Sequence, residues 1–333
     1  MLHAAGWLYG KVADLRNYLY DHDVFKRHDL GARTISIGNI TTGGTGKTPL
    51  VAYVAEILAE AGEKVCILTR GYGRESSGRV LVSDCERVLV DAATGGDEPV
   101  ELARKLIGKA VIVADAHRVA AAAWAKEKFG VTAFVLDDGF QHRRAKRDLD
   151  IVCIDATDPW GKMIPPAILR EPLANLARAD VIVLTRCNLA DSIHPIIEKI
   201  TGLNTHAPVF RAETRLLKLN PLDPANKTRE RRTAAGAFAF CGLGNPRPFI
   251  AMLKQAGGDP TDVRIFADHT RYTQGDLDQI QSKAREQGCD ALVTTGKDAV
   301  KLDGLKLEMP CFVAEIELVI DDAARFRDLV LST

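Results

Sequence analysis

Residues 35–49, Ile35-Ser36-Ile37-Gly38-Asn39-Ile40-Thr41-Thr42-Gly43-Gly44-Thr45-Gly46-Lys47-Thr48-Pro49, constrain this chain more than any other stretch. An apolar strand pattern runs into a glycine-rich turn and then into a helical pattern over 48–61. Glycines let backbone N–H groups turn inward around phosphate oxygens, and a helix N-terminus adds partial positive charge. A loop of this kind sits between a buried strand and a helix, so the chain must build an α/β layer around it. The expected nucleotide-binding residues are Thr41, Thr42, Gly43, Gly44, Thr45, Gly46, Lys47 and Thr48. Lys47 would reach the β- and γ-phosphates, and Thr48 would place a hydroxyl on Mg²⁺. Thr41 stands where such loops usually carry their first glycine.

The rest of the chain supports a parallel sheet. Short Val/Ile-rich runs at 34–38, 64–69, 110–114, 133–136, 151–155 and 181–185 read as strands buried on both faces. Helical stretches at 48–61, 98–106 and 116–129 separate them. After a polar stretch at 220–233, strand patterns restart at 237–241, 263–267, 291–295 and 311–316. We therefore expect an α/β fold: a P-loop NTPase-like, mostly parallel sheet with helices on both faces over 34–205, and a smaller α/β domain over 206–333. Residues 1–33 read as an N-terminal amphipathic helix with Leu8, Val12, Leu15 and Leu19 on one stripe.

Composition excludes several functions. The 44 basic and 44 acidic residues cancel, so no whole-chain field favours nucleic acid. Seven scattered cysteines without a C-x-x-C pair read as reduced, buried thiols. No apolar run reaches the roughly 18–20 residues of a membrane span.

Further motifs lie at strand ends. The run Ala133–Asp138 is an apolar strand ending in Asp137 and Asp138, acids suited to Mg²⁺. Gly139 to Arg147 follows, basic throughout, and after such a strand it would face the nucleotide edge. Asp97, in Gly96-Asp97-Glu98-Pro99, opens a helix, where acids also serve as plain dipole partners. Transfer to a hydroxyl needs a carboxylate beside the attacking oxygen, which makes Asp97 a candidate base. Arg70, Arg118, Arg170 and Glu171 bring charge to other turns, as His269 does in the second domain. Gly242-Leu243-Gly244 lacks a third glycine and reads as a strand-to-helix turn.

Together these segments resemble the tetraacyldisaccharide 4'-kinase family. The match runs in order through S-I-G-N-I-T-T-G-G-T-G-K-T-P, T-R-G-Y-G-R, G-D-E-P, D-A-H-R, L-D-D-G-F-Q-H, R-D-L-D-I, L-R-E-P, F-A-D-H and K-D-A-V-K. The resemblance implies ATP as donor, Mg²⁺ as cofactor and tetraacyldisaccharide 1-phosphate as acceptor. It also implies peripheral association with the cytoplasmic face of the bacterial inner membrane, and no protein partner is evident. By carry-over, Asp97 and His269 form the proton-accepting pair, while Asp137, Asp138 and Glu171 are carboxylates for Mg²⁺ and phosphate. Arg70, Arg118, Gln141, His142 and Arg170 are weaker substrate or phosphate contacts. Gly296 departs from the family's usual glutamate and is expected to lie outside the site. A rival reading is a P-loop partitioning or metal-insertion ATPase, which shares the loop but needs no carboxylate–histidine pair.

Overall fold

The computed structural model describes residues 2–160, 169–223 and 231–332. The chain opens with α1 (Leu2–Asp21), β1 (Arg33–Asn39), α2 (Lys47–Glu60), β2 (Val65–Thr69) and β3 (Val80–Asp84). It continues with α3 (Ala92–Gly95), α4 (Asp97–Lys105), β4 (Ala110–Ala114), α5 (Arg118–Phe129), β5 (Ala133–Asp137), β6 (Leu149–Asp155) and β7 (Val181–Thr185). Then come α6 (His194–Leu203), β8 (Val209–Pro221), β9 (Ala237–Cys241), α7 (Arg247–Gln255) and β10 (Asp262–Ile265). The last elements are α8 (Gln274–Glu286), β11 (Ala291–Thr295), α9 (Gly296–Ala299), β12 (Cys311–Ile320) and α10 (Ala323–Leu331).

Among the described residues the strands form one sheet, ordered β10-β9-β11-β12-β8-β7-β6-β1-β5-β2-β4-β3. The fold is α/β and the pairing mostly parallel, as expected; the antiparallel pairs are β3–β4 and β8–β12. Strands β1, β2, β4, β5, β6 and β7 are almost wholly buried, which explains why their Val/Ile runs were legible. β8 went unread because its burial alternates irregularly with exposed, polar positions.

The β8–β12 pair decides the shape of the site. β8 starts parallel to β7 through Val209, Phe210 and Arg211, then runs on past the end of β7 to Pro221. β12 returns along it antiparallel, from Phe312 opposite Pro221 to Ile320 opposite Ala212. β11, β9 and β10 follow β12 in parallel. The later strands therefore point back at the earlier ones, and the carboxyl ends of the two sets face each other. Ligands of open α/β sheets bind beyond such ends.

Helix α2 anchors the nucleotide loop in the core. It buries Leu50, Val51, Val54, Ile57 and Leu58, with Phe326 and Val330 of α10 in the same cluster. Each large aliphatic contributes about 1.5–3 kcal/mol on full burial.

The expectation of helix across 1–33 is corrected: α1 stops at Asp21. Asp23 takes a left-handed φ of 55°, and Phe25 folds back so that its ring meets Tyr20 at 5.3 Å. His28 then bridges to Ala145 before β1 begins. Of the polar stretch at 220–233, residues 224–230 lie outside the described residues.

Candidate active site

The glycine-rich loop has the backbone it needs. Gly46 caps α2 with φ 78° and, being glycine, places no side-chain cap on the helix's first N–H groups, the groups that serve an anion. The loop is braced from outside: Asn39 Nδ2 donates to Thr45 Oγ1 at 3.0 Å, and Thr185 Oγ1 donates to the Thr45 carbonyl at 2.8 Å. Thr41 is buried and bridges to Leu169, which ties the loop to the segment bearing Arg170 and Glu171.

The structure brings Asp137 and Asp138 beside Lys47, at the end of β5. Lys47 Nζ lies 3.4 Å from Asp138 Oδ1. Arg170 Nη1 donates to both Asp138 oxygens at 2.8 and 2.7 Å. Burial would raise the Asp138 carboxyl, but Lys47 and Arg170 overcome it and hold the group below its ordinary range. Asp137 has less relief. Burial first, then the charges of Glu98 and Asp138, push it up to about 6, against Lys47 and a 2.9 Å hydrogen bond from Thr69 Oγ1. Asp137 is thus a buried carboxylate short of positive charge.

The Asp-Asp-Gly-Phe turn crosses β1 closely. A Cβ on Gly38 would lie 2.5 Å from the Phe140 backbone nitrogen, so only glycine lets the turn seat there. Beyond it, Gln141 Nε2 donates to the Asn39 carbonyl and to Glu171 Oε1, both at 2.9 Å. Glu171 also accepts from Arg178 at 2.9 and 3.2 Å and from Asn17 of α1 at 2.9 Å. Arg16, one residue earlier on α1, donates to the Gln141 carbonyl at 2.9 Å. Helix α1 therefore grips the site with one face.

The other candidate basic groups divide. Arg118 is buried and donates to the Asp137 carbonyl at 2.9 Å, while Arg70 is exposed at the end of β2. His142 is pushed down to about 4 by burial and then by Arg118 and Arg147, so it is neutral at pH 7. The basic run expected to face the nucleotide does not do so as a unit. Arg143 pairs with Asp21 and bonds the Asn17 carbonyl of α1, and Arg147 pairs with Asp150. The reason is local: a turn this short sends alternate side chains inward, where buried carboxylates and carbonyls need them.

Across the cleft, Asp97 opens α4 after Gly96, which has φ 95°. Its side chain is buried, and its Oδ2 lies 2.9 Å from His269 Nδ1. His269 sits on the loop after β10 with a left-handed φ of 58°, a conformation that costs a non-glycine residue energy. Both residues line a cavity of about 230 Å³ with Gly73, Arg271 and Lys301. Glu98 adjoins Asp97 and its charge reaches Asp137, so the two carboxylate groups share one electrostatic field.

Gly296 packs on α4 rather than on Asp97, but the residue after it enters the site: Lys297 Nζ lies 3.2 Å from Glu98 Oε1 and 3.8 Å from Asp97 Oδ2. A Cβ on Gly296 would meet Glu101 Oε1 of α4 at 2.6 Å. The available signal was a lysine just after a buried strand, at the sheet edge where the other loops converge. Asn17 and Arg16 were also missed, and nothing local in the sequence marks them; Thr69 and Glu98 stand in the segments T-R-G-Y-G-R and G-D-E-P, where no role was read for them.

The family model described as LpxK, tetraacyldisaccharide-1-P 4'-kinase, matches residues 1–333. A tetraacyldisaccharide 4'-kinase of Halothermothrix orenii is 39% identical over 310 residues, covering 88% of this chain and 80% of that protein. One of Geobacter metallireducens is 38% identical over 299 residues, covering 88% and 86%. The crystal structure of LpxK from Aquifex aeolicus, an "apo" form in complex with ATP, superposes with a TM-score of 0.79 at 30% identity. It covers 99% of this chain and 97% of that one.

Proposed function

This chain belongs to the tetraacyldisaccharide-1-phosphate 4'-kinase family, and from that premise we propose how its residues divide the work. The chain is a kinase of lipid A biosynthesis that uses ATP to phosphorylate the 4'-hydroxyl of tetraacyldisaccharide 1-phosphate.

In our reading, residues 34–205 hold the nucleotide and 206–333 complete the acceptor side of the cleft. Thr41 to Thr48 wrap the phosphates, with Lys47 on the transferred group. Asp97 takes the proton from the acceptor hydroxyl as its oxygen attacks the γ-phosphorus and the bond to the β-phosphate oxygen breaks. With its proton on Nδ1, His269 donates to Asp97 and fixes the carboxylate's orientation. Arg118, Arg70, Gln141 and His142 remain proposed contacts for substrate or phosphate, and Arg170 acts by holding Asp138.

Among the described residues no three carboxylate, histidine or cysteine side chains converge as a ready-made metal cage. A cation that arrives with the triphosphate needs less, because Mg²⁺ is commonly held by one or two carboxylates plus phosphates. The buried Asp137 carboxyl, which accepts from Thr69, fits that demand with Thr48, and Asp138, now held by Arg170 and Lys47, would join them once the triphosphate draws Lys47 off it. When bound, Mg²⁺ neutralises charge on the bridging and terminal phosphate oxygens. Glu171 has its oxygens occupied by Arg178, Gln141 and Asn17, so we assign it a share through Gln141 rather than through a direct bond.

We also propose that the enzyme works against the inner membrane's cytoplasmic face. No helix among the described residues is long and apolar enough to cross a membrane. α1, however, turns Trp7, Leu8, Val12, Leu15 and Tyr18 to solvent while its other face holds the site. Aromatic and aliphatic side chains arranged this way suit a lipid interface.

The observation that carries the catalytic reading is the Asp97–His269 contact in the cleft. The test is phosphate transfer from γ-labelled ATP, with and without the acceptor in detergent micelles, comparing wild type with Asp97→Ala. Label in the lipid with a large loss in the variant supports the assignment. Lipid labelling that survives the substitution removes Asp97 from the chemistry.

A further inference from the structure

Lys297 stands on the first turn of α9 with 11% of its side chain exposed. Its ammonium reaches Asp268 Oδ1 at 3.0 Å, Glu98 Oε1 at 3.2 Å and Asp97 Oδ2 at 3.8 Å. These carboxylates come from two elements, the start of α4 and the loop that carries His269. One ammonium thus ties together both sides of the Asp97–His269 pair.

The surroundings are crowded with negative charge. α4 contributes Asp97, Glu98 and Glu101; the loop after β10 contributes Asp268; α9 contributes Asp298. Lys301 is committed to Asp298 at 2.8 Å and Arg271, also lining the cavity, to Glu75, which leaves His269 as the other basic group paired with Asp97. Burial and then the charge of Glu98 already push Glu101 up to about 7.

The mount for Lys297 is rigid. Asp298 is fully buried and accepts from the Gly242 amide at 3.1 Å, Tyr272 Oη at 2.9 Å and Thr295 Oγ1 at 2.6 Å. Tyr272 lies three residues after His269, so the same carboxylate also fastens the histidine loop.

We propose that Lys297 is a positioning residue for phosphoryl transfer: pairing with Asp97 and Asp268 together, it fixes the orientation of the Asp97 side chain and holds the His269 loop against it. The inference rests on reading Asp97 as the base. Loss of the ammonium unties the two side chains, so the chemical step suffers while ATP binding, on the other side of the cleft, does not.

The experiment measures kcat and ATP KM of lipid phosphorylation for K297M, K297R, D97N and K297M/D97N, with melting and ATP binding as folding controls. K297M is expected to lower kcat by about 10–100-fold with ATP KM unchanged, and K297R to recover part of the loss. In the D97N background K297M is expected to add less than about twofold. Three results overturn the proposal. In one, K297M retains wild-type kcat while D97N is crippled, which leaves the base reading standing. In another, the K297M and D97N losses multiply, which makes them independent. In the last, D97N is as active as wild type, and the base reading falls as well. Should K297M fail to fold, K297R decides: a folded K297R that loses kcat as fully as D97N, with the charge retained, overturns the proposal.

Discussion

His269 Nδ1 and Asp97 Oδ2 meet at 2.9 Å although 172 positions separate them in the chain. The contact spans the cleft between the two sets of facing strand ends, so the pair exists only in the folded arrangement. A pair that acts as a unit loses most of its effect when either member is removed. Asp97→Asn is expected to lower kcat by about 10²–10⁴-fold with little change in ATP KM. His269→Ala should cost less, and the double variant little more than Asp97→Asn alone. Steady-state rates on the lipid acceptor check this; fully multiplicative losses would separate the two residues.

Arg170 holds both oxygens of Asp138 from one guanidinium nitrogen, and Gln141 Oε1 lies 3.4 Å from the same nitrogen. Arg170→Ala frees Asp138 to pair wholly with Lys47, which then points less at phosphate. ATP KM should rise and kcat fall. Arg170→Lys should not restore them fully, because an ammonium on a flexible four-carbon stem is not pre-organised as the rigid guanidinium is. Kinetics with varied ATP at saturating lipid decide it.

The exposed stripe of α1 can be altered without touching its gripping face. Replacing Trp7, Leu8, Val12 and Leu15 by Gln removes apolar surface that is now in solvent, so folding should be unaffected. Sedimentation with anionic vesicles should fall sharply while ATP binding stays at wild-type level. Equal vesicle binding by the variant would remove α1 as the contact. Asn17→Ala, on the opposite face, should instead lower activity by unfastening Glu171.

Glu101 predicts a pH-dependent stability difference. Its carboxyl is raised to about 7 in the folded protein, first by burial and then by Glu98. A raised acid stabilises the fold below its ordinary pKa and loses that contribution as pH climbs through the folded value. Glu101→Gln should therefore melt higher than wild type at pH 8, with the advantage shrinking toward pH 5. Melting curves at the two pH values are sufficient; a constant difference would contradict the assignment.

Gly38→Ala probes the crossing of the Asp-Asp-Gly-Phe turn over β1. The added methyl would contact the Phe140 backbone, which cannot swing away as a side chain does. A cost of about 1–3 kcal/mol is expected from the overpacking. Urea denaturation measures it, and ATP affinity should fall with it because Asp138 is two residues from the clash.

The strands of the nucleotide half were legible because burial on both faces demands continuous Val and Ile, and the loop because phosphate binding demands glycine and lysine at fixed spacing. Asp137 and Asp138 followed from the end of an apolar strand, and the family resemblance supplied His269. No role was legible for Lys297, Asn17 or Glu98, because each acts through a partner far away in sequence or on another element.

The sequence by itself determined the α/β class, the nucleotide loop and the order of motifs, since these are local: strand, turn and helix patterns repeat over a few residues. Which motifs meet was decided by the tertiary structure. β8 outruns β7 and pairs back with β12, and that one antiparallel turn of direction aims the later strand ends at Asp97. β8 is half exposed and irregular in pattern, so the element that assembles the site carries the weakest local signal.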